Sequence, residues 1–132
     1  MMQETIRKAT MADLKAAGLL YDRVMEHLVA GHNWPNWPKG SYPVEETAKK
    51  AIMETSLYLY FVGPSLAASV ILNGEQTPEY QEITWRYPAA EDEVLVIHTL
   101  VVDPAFSGRG IASRLLAFAE GLAVGRGASV IR

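Results

Sequence analysis

The sequence predicts an α/β domain built on a mixed sheet flanked by helices, and three observations support this fold class. The run from Val94 to Val102 is almost wholly apolar and rich in valine and isoleucine, as expected of a strand buried on both faces of a sheet. A segment with helical spacing follows it, and residues 128–132 begin another strand, which makes a βαβ unit. Upstream, two apolar runs on either side of Gly63-Pro64 predict an antiparallel strand pair.

Composition narrows the class of protein. The 132 residues are 49% hydrophobic and 20% charged, with a net charge of −3, and no linker or repeat divides them, so we expect one domain over residues 1–132. The lack of cysteine excludes disulfides, a thiolate nucleophile and a cysteine-based metal site, and it fits a cytoplasmic protein. The acidic pI near 5.6 argues against a nucleic-acid partner. The lack of a signal-peptide core or a long apolar run argues against secretion and a membrane span.

The N-terminal third reads as a strand, a helix and a loop. A short strand at Glu4 to Arg7 leads to a capping-box-like helix start at Thr10 and Asp13, and Gly31 ends the helix. The apolar positions at three- and four-residue intervals that predict this helix are Leu14, Ala17, Tyr21, Val24, Met25 and Leu28. The segment 31–43 contains three prolines and two glycines and is therefore predicted to be a loop.

The remaining elements follow in order. Pro43 suits the first turn of a second helix, which ends near Glu54. The strand pair is predicted at 57–62 and 66–72, and the polar segment 75–93 reads as a long loop with a short strand at 82–85. Pro104 ends the buried strand, and a helix runs from Ile111 towards glycines 125 and 127.

The segment from His98 to Leu116 contains most of the candidate functional residues. A buried strand runs through a glycine-rich turn into a helix start, where Gly108 and Gly110 allow close approach of a ligand to unpaired backbone N–H groups. With the charge of Arg109, these features predict a phosphate or pyrophosphate cradle. The alternative is a glycine-rich helix start that binds nothing. A P-loop fits poorly because Ile111-Ala112 follows Gly110, and a dinucleotide fingerprint fits poorly because Ser113 stands at its third glycine.

The turn Ser107-Gly108-Arg109-Gly110-Ile111-Ala112 resembles the acetyl-CoA motif of the GCN5-related N-acetyltransferases (GNAT) family. In that family a strand and a Val-x-Pro-like turn precede Gln/Arg-x-x-Gly-x-Gly/Ala. Here Leu100 to Pro104 precedes the turn in the same register, and serine replaces the first Gln or Arg. The order of elements extends the resemblance over essentially the whole chain. It implies the GNAT fold.

The resemblance implies acetyl-CoA as co-substrate and no metal. The pyrophosphate would lie on backbone amides of the turn, and pantetheine would pair with the backbone of the strand like a missing neighbour. The cofactor-binding residues expected on this basis are Leu100, Val101, Val102, Ser107, Gly108, Arg109, Gly110, Ile111, Ala112 and Ser113.

His98 is the candidate catalytic residue. It is the one titratable side chain in an apolar strand, and the ordinary pKa of histidine, near 6.5, suits acceptance of a proton from a substrate ammonium, directly or through water. The resemblance adds that the arylalkylamine branch of the family uses a histidine at the corresponding place. The histone-modifying branch uses a glutamate where this chain has Val96. The alternative is a hydrogen-bonded core histidine.

Aromatic residues in two loops are candidates for the acceptor site, since the first of these loops borders that site in the family. With acidic residues 91–93 they could hold an amine through cation–π and charge contacts, or they could simply cap the core. The candidates for substrate binding are Trp34, Trp37, Tyr42 and Trp85.

These observations predict an N-acetyltransferase that transfers an acetyl group to a primary amine of a small molecule or peptide by direct attack on the thioester. The alternatives are a non-catalytic acyl-CoA-binding or regulatory domain of the same fold and, more distantly, a nucleotide-binding module. Because family domains continue through a further helix and two strands, we expect the chain to be a truncated or incompletely ordered form, or one covered by a second chain, as in a homodimer. Such a species would self-associate or be poorly stable, and would turn over slowly.

Overall fold

Five strands form one mixed sheet in a computed structural model that describes residues 3–31, 42–75 and 93–132. The first four are antiparallel neighbours in chain order, and the fifth is parallel to the fourth. In order they are β1 (Glu4–Lys8), β2 (Leu57–Val62), β3 (Ser65–Asn73), β4 (Val94–Val102) and β5 (Val130–Ile131). The α/β class with a mixed sheet is therefore confirmed, and β4 has the predicted bounds.

In the described part of the chain, three α-helices flank the sheet. A 3-10 turn (Met11–Asp13) leads into α1 (Leu14–Ala30), which ends at Gly31. Between β4 and α3 (Ile111–Gly125) lies a 3-10 turn at Pro104–Phe106. The other helix is α2 (Glu45–Met53). None of the helices in the described ranges is long and apolar enough to cross a membrane.

One prediction about α2 is wrong. Pro43 does not lie in the first helical turn, because Val44 is still extended (φ −133°, ψ 174°) and acts as the N-cap. The N–H of Val44 donates to Thr47 Oγ1 at 3.0 Å, and this contact sets the helix start two residues after the proline. The short strand predicted at 82–85 and most of both predicted long loops lie outside the described residues.

The apolar residues form two clusters, one on each face of the sheet. α1 and α2 cover one face, where Leu20 and Leu59 are completely buried, and α3 covers the other, where Leu115 is 1% exposed. This arrangement follows from the alternation of side chains along a strand, which places consecutive residues of β2 in different clusters. Burying one such leucine contributes about 1.5–3 kcal/mol.

The start of α1 is held by a carboxylate. Asp13 accepts the backbone N–H of Thr10 at 2.8 Å, as the predicted capping box requires, and both its oxygens accept the Arg7 guanidinium, at 2.8 and 2.9 Å. The hydrogen bonds from Arg7, followed by that from Thr10, lower the pKa of Asp13 to about 2 against the opposing effect of burial. β1 and α1 are thereby joined through one ion pair.

Candidate functional site

The turn after β4 is fixed by Asp103. Its backbone N–H donates to Ala67 O at 2.8 Å, its Oδ1 accepts the N–H of Ala105 at 2.9 Å, and its Oδ2 accepts Arg23 Nε at 2.8 Å. Asp103 is 7% exposed, so these bonds connect β3, the 3-10 turn and α1 at a mostly buried point. Asp103 lies within the predicted motif segment Leu100 to Pro104, but the sequence predicted no role for it. An aspartate directly before a proline that opens a helical turn is the signal that would have found it.

The glycine-rich turn has the backbone conformation that the sequence predicts. Gly108 and Gly110 both have φ +76°, a left-handed conformation that favours glycine, and Gly110 is the N-cap of α3. A Cβ built on Gly108 would meet nothing within 4 Å, so the turn is open on that side. The first helical hydrogen bond runs from Arg114 N to Gly110 O at 3.1 Å, which leaves the preceding amides of the helix start without helical acceptors. This geometry suits an anion.

Two arginines line the space beside this turn. A cavity of about 290 Å³ is bordered by Arg109 and Arg114 together with Glu4 and Val62. Arg109 lies over the ring of Phe106, 5.1 Å from its centroid. Sequence reasoning assigned Arg109 to the turn and missed Arg114, although its position one turn inside the helix is a signal for a residue that faces back over the helix start.

Arg114 is held by a small polar network that links α3 to two strands of the sheet. Its Nη1 donates to Glu4 Oε1 at 3.0 Å and to the hydroxyl oxygen of Tyr60 at 3.1 Å, and the Tyr60 hydroxyl donates to Glu4. Burial, followed by the bond to Glu4, raises the pKa of the Tyr60 hydroxyl. The network connects β1, β2 and α3 at one edge of the cavity.

A β-bulge interrupts β4 upstream of the turn. Ser69 of β3 pairs with Val101, whereas Ile71 pairs with His98, so β4 has one residue more than its partner over this interval. Thr99 is the strained residue, with φ +48°. The bulge lies beside His98, the histidine of this strand. Bulges often occur next to functional sites.

His98 lies at the rim of a second cavity. Its Nε2 is 2.8 Å from Asn73 Oδ1, and the cavity, of about 150 Å³, lies on the side of the sheet that α2 covers. The Tyr42 hydroxyl shares a hydrogen bond with Thr99 Oγ1 and also borders this space. The cavity-lining residues are Tyr42, Thr47, Lys50, Ala51, Glu54, Ile71, Asn73, Glu75 and His98. Asn73 and the residues of α2 were not predicted, because only the tertiary structure brings α2 over the end of β3.

The candidate residues thus divide between two places. Among the turn residues, Ser107 to Gly110 and Ser113 are exposed, Ala112 is half-buried and Ile111 is buried. A 3-10 turn separates them from the strand segment Leu100 to Val102, and Tyr42 and His98 meet at the second cavity. Along β4, β5 pairs only with Val94 and Leu95 among the described residues. The candidates Trp34, Trp37 and Trp85 lie outside the described residues. The described part of the chain contains no group of three or more histidine, aspartate or glutamate side chains that could hold a metal ion.

Several solved structures with the same fold are named as acetyltransferases. A GNAT family acetyltransferase from Listeria monocytogenes 4b F2365 is similar with a TM-score of 0.77 and 19% identity, over 96% of this chain and 73% of that one. One from Streptococcus agalactiae 2603 has a TM-score of 0.75 and 20% identity, over 92% and 72%. N-acetylglutamate synthase from Neisseria gonorrhoeae, solved with coenzyme A and N-acetyl-glutamate, has a TM-score of 0.63 and 19% identity, over 98% of this chain and 25% of that one. At these identities the likeness establishes the fold.

A search of curated proteins found no match. The family model for acetyltransferases of the GNAT family, however, matches residues 22–132, which include β4, the glycine turn and α3. The match covers most of the chain, and the sheet order and the turn agree with the resemblance seen in the sequence. The chain therefore belongs to the acetyltransferase (GNAT) family.

Proposed function

We propose that this protein is an acyl-CoA-dependent N-acetyltransferase that uses acetyl-CoA to acetylate a primary amine of a small molecule or peptide. The observation that carries the proposal is the turn itself. Two left-handed glycines, Gly108 and Gly110, lie at the start of α3, which a 3-10 turn joins to a bulged strand. That arrangement offers backbone N–H donors and the positive end of a helix dipole to a pyrophosphate, with Arg109 and Arg114 beside it.

In this proposal the backbone holds the donor and the second cavity holds the acceptor. Amides from Gly108 to Ala112 would bind the pyrophosphate, and the backbone of β4 from Leu100 to Val102 would bind pantetheine. The bulge beside His98 is the point where the donor-binding strand borders the cavity that contains Tyr42. The acceptor amine would therefore approach from the side of the sheet that α2 covers.

The reaction forms a C–N bond and breaks a C–S bond. The nitrogen of the neutral amine attacks the thioester carbonyl carbon, the electron pair of the C–S bond leaves on sulfur as the CoA thiolate, and the amine proton passes to His98, directly or through water. Positioning and desolvation of the amine by the chain lower the barrier, and main-chain donors of β4 stabilise the oxyanion that develops on the carbonyl oxygen.

Two measurements test this function. The first measures release of free CoA from acetyl-CoA with a panel of amines, and we expect turnover with at least one amine. His98→Ala should reduce this turnover at neutral pH about 10²-fold with little change in CoA affinity. CoA should raise the melting temperature by mass action, whereas ATP and NAD should not. Stabilisation by CoA without turnover would favour a non-catalytic acyl-CoA-binding or regulatory domain, and stabilisation by ATP or NAD alone would favour a nucleotide-binding module.

A further inference from the structure

The side-chain amide of Asn73 has one orientation that its contacts allow. Asn73 Oδ1 lies 2.9 Å from the backbone nitrogen of Glu75 and 2.8 Å from Nε2 of His98. A backbone N–H can only donate, so the atom facing Glu75 must be the amide oxygen and not the NH2 group. The turn at the end of β3 therefore determines which atom of Asn73 faces the imidazole.

That orientation in turn selects the protonated nitrogen of His98. A carbonyl oxygen can only accept, so the Nε2 that faces it must carry a hydrogen. In the neutral ring Nδ1 is then the nitrogen with the free lone pair. Among the described residues no group bonds to Nδ1.

We propose that Asn73 is a positioning residue that holds His98 in the Nε2–H tautomer, so that Nδ1 is the atom that takes the proton from the acceptor amine. The tautomer part of this inference stands on the two distances alone, and the catalytic part rests on the proposed function. After proton transfer both ring nitrogens carry hydrogens, and the Nε2–H bond to Asn73 is kept. The ring therefore changes charge without changing partner.

Within the described ranges, the hydrogen bond of the His98 ring is the one between Nε2 and Asn73 Oδ1. The titratable and charged groups that line the same cavity are Tyr42 from the segment before α2, Lys50 and Glu54 from α2, and Glu75 after β3. None of the three charged side chains forms an ion pair with another described residue. Asn73 is thus the group that sets the ring in this part of the structure.

The first test is a ring-nitrogen NMR measurement on the whole protein. The chain has three histidines, and His98→Gln identifies the His98 signals by their loss. At a pH where the ring is neutral, we expect one nitrogen with a bound hydrogen, assigned to Nε2, and one without. Asn73→Ala should give averaged signals from two tautomers, whereas Glu75→Ala, which keeps the backbone N–H, should leave a single tautomer. The Nδ1–H tautomer in the unmodified protein, or an unchanged single tautomer in Asn73→Ala, would overturn the inference.

The second test is the pH profile of kcat/KM. Asn73→Asp replaces the amide oxygen that accepts the His98 hydrogen bond with a charged carboxylate, which favours the imidazolium, so the acidic limb of the profile should move to higher pH. Asn73→Ala should lower kcat about tenfold with a smaller change in the KM for acetyl-CoA. An unmoved limb in Asn73→Asp together with full kcat in Asn73→Ala would refute the catalytic part. If His98→Ala is fully active while the NMR result is as expected, the role of His98 in the proposed function fails and the positioning contact stands.

Discussion

Single Asp and Asn side chains at the ends of helices and strands connect separate elements of this fold. Asp13 joins β1 to α1, Asp103 joins the turn after β4 to α1, and Asn73 joins β3 to the imidazole of His98. Each is an Asp or Asn that accepts a backbone N–H near the end of an element and a side-chain N–H from elsewhere. The local bond was readable from sequence position, and the distant partner was not.

The ion pair of Asp13 should make stability depend on pH. Its pKa in the folded state, about 2, lies below the ordinary value of 3.8, so its stabilising effect is complete above pH 4 and is lost as the pH falls towards 2. We expect Asp13→Asn to lower the free energy of unfolding by about 1–2 kcal/mol at pH 7 and by progressively less below pH 4. Urea unfolding at several pH values measures this difference. Asp22→Asn, at an exposed position of α1, is the control, and a pH-independent cost at Asp13 would contradict the expectation.

Tyr42 tests whether the second cavity receives the acceptor. Its hydroxyl bonds to Thr99 beside the bulge, so Tyr42→Phe should raise the KM for the acceptor amine about 2- to 10-fold and leave the KM for acetyl-CoA nearly unchanged. Steady-state kinetics with each substrate varied in turn measures both constants. Tyr58→Phe removes a hydroxyl that accepts Arg126 at 3.0 Å in the cluster covered by α3, and it should affect neither constant. Equal increases in both constants for Tyr42→Phe would indicate packing damage.

At the scale of elements, the β4–turn–α3 unit is the part of the fold that faces the proposed donor. A bulge, a buried aspartate and two left-handed glycines occur within a dozen residues, between His98 and Ile111. Thr99, at φ +48°, is the strained residue of this segment, and strain is typical of functional sites because the surrounding structure must hold a conformation that the residue alone would not adopt. α3 and the sheet provide that support through Ile111 and Leu115.

Gly110→Asp should abolish stabilisation by CoA. The new side chain would strain a position with φ +76° and place a carboxylate where the pyrophosphate is proposed to bind. We expect a folded variant whose melting temperature does not rise with CoA. Gly127→Asp is the matched control, since Gly127 has φ +72°, lies beyond the other end of α3 and has open space around a built Cβ. It should carry a similar backbone cost and keep the CoA shift, and an undiminished shift in Gly110→Asp would refute the cradle.

At the scale of the whole molecule, one sheet separates two apolar clusters that do not share buried residues. Leu20 lies in the cluster under α1 and α2, and Leu115 lies in the cluster under α3. The proposed site as a whole depends on both clusters, because the turn proposed to bind the donor leads into α3 and the cavity proposed for the acceptor lies under α2. The sheet is therefore the common support of the two halves of the site.

Because the two clusters are separate, we expect substitutions in them to have additive effects on the free energy of unfolding. Leu20→Ala and Leu115→Ala should each lower the free energy of unfolding by about 2–5 kcal/mol, because each removes a buried side chain from a packed cluster. The double variant should lose the sum to within about 0.5 kcal/mol, since the two leucines lie in different apolar clusters. Urea unfolding of the two single variants and the double variant provides the measurement, in the presence of CoA if the double variant is too unstable without it. A larger interaction energy would mean that the clusters are coupled through the sheet.

The fold class and most element bounds followed from the sequence alone, because periodicity and turn residues are local signals. The apolar run of β4, the glycine stop of α1 and the left-handed turn before α3 each depend on residues within a few positions of one another. The start of α2 was placed too early, since Pro43 suits either side of a helix start and the bond between Thr47 and the backbone of Val44 decides between them. The motif at Ser107 to Ala112 also identified the family, because the spacing of its residues follows from the conformation of a single local turn.

The tertiary structure decided which distant groups meet. Arg114 with Glu4, Arg23 with Asp103 and His98 with Asn73 are separated by 110, 80 and 25 residues along the chain. Their contacts come from strand register and from helices packed across strands, and no local pattern encodes a register between segments so far apart. The sequence by itself therefore determined the scaffold and the conformation of the glycine turn in which the anion cradle is proposed. The partners that hold the histidine and the arginine in place were decided only when the sheet brought separate segments together.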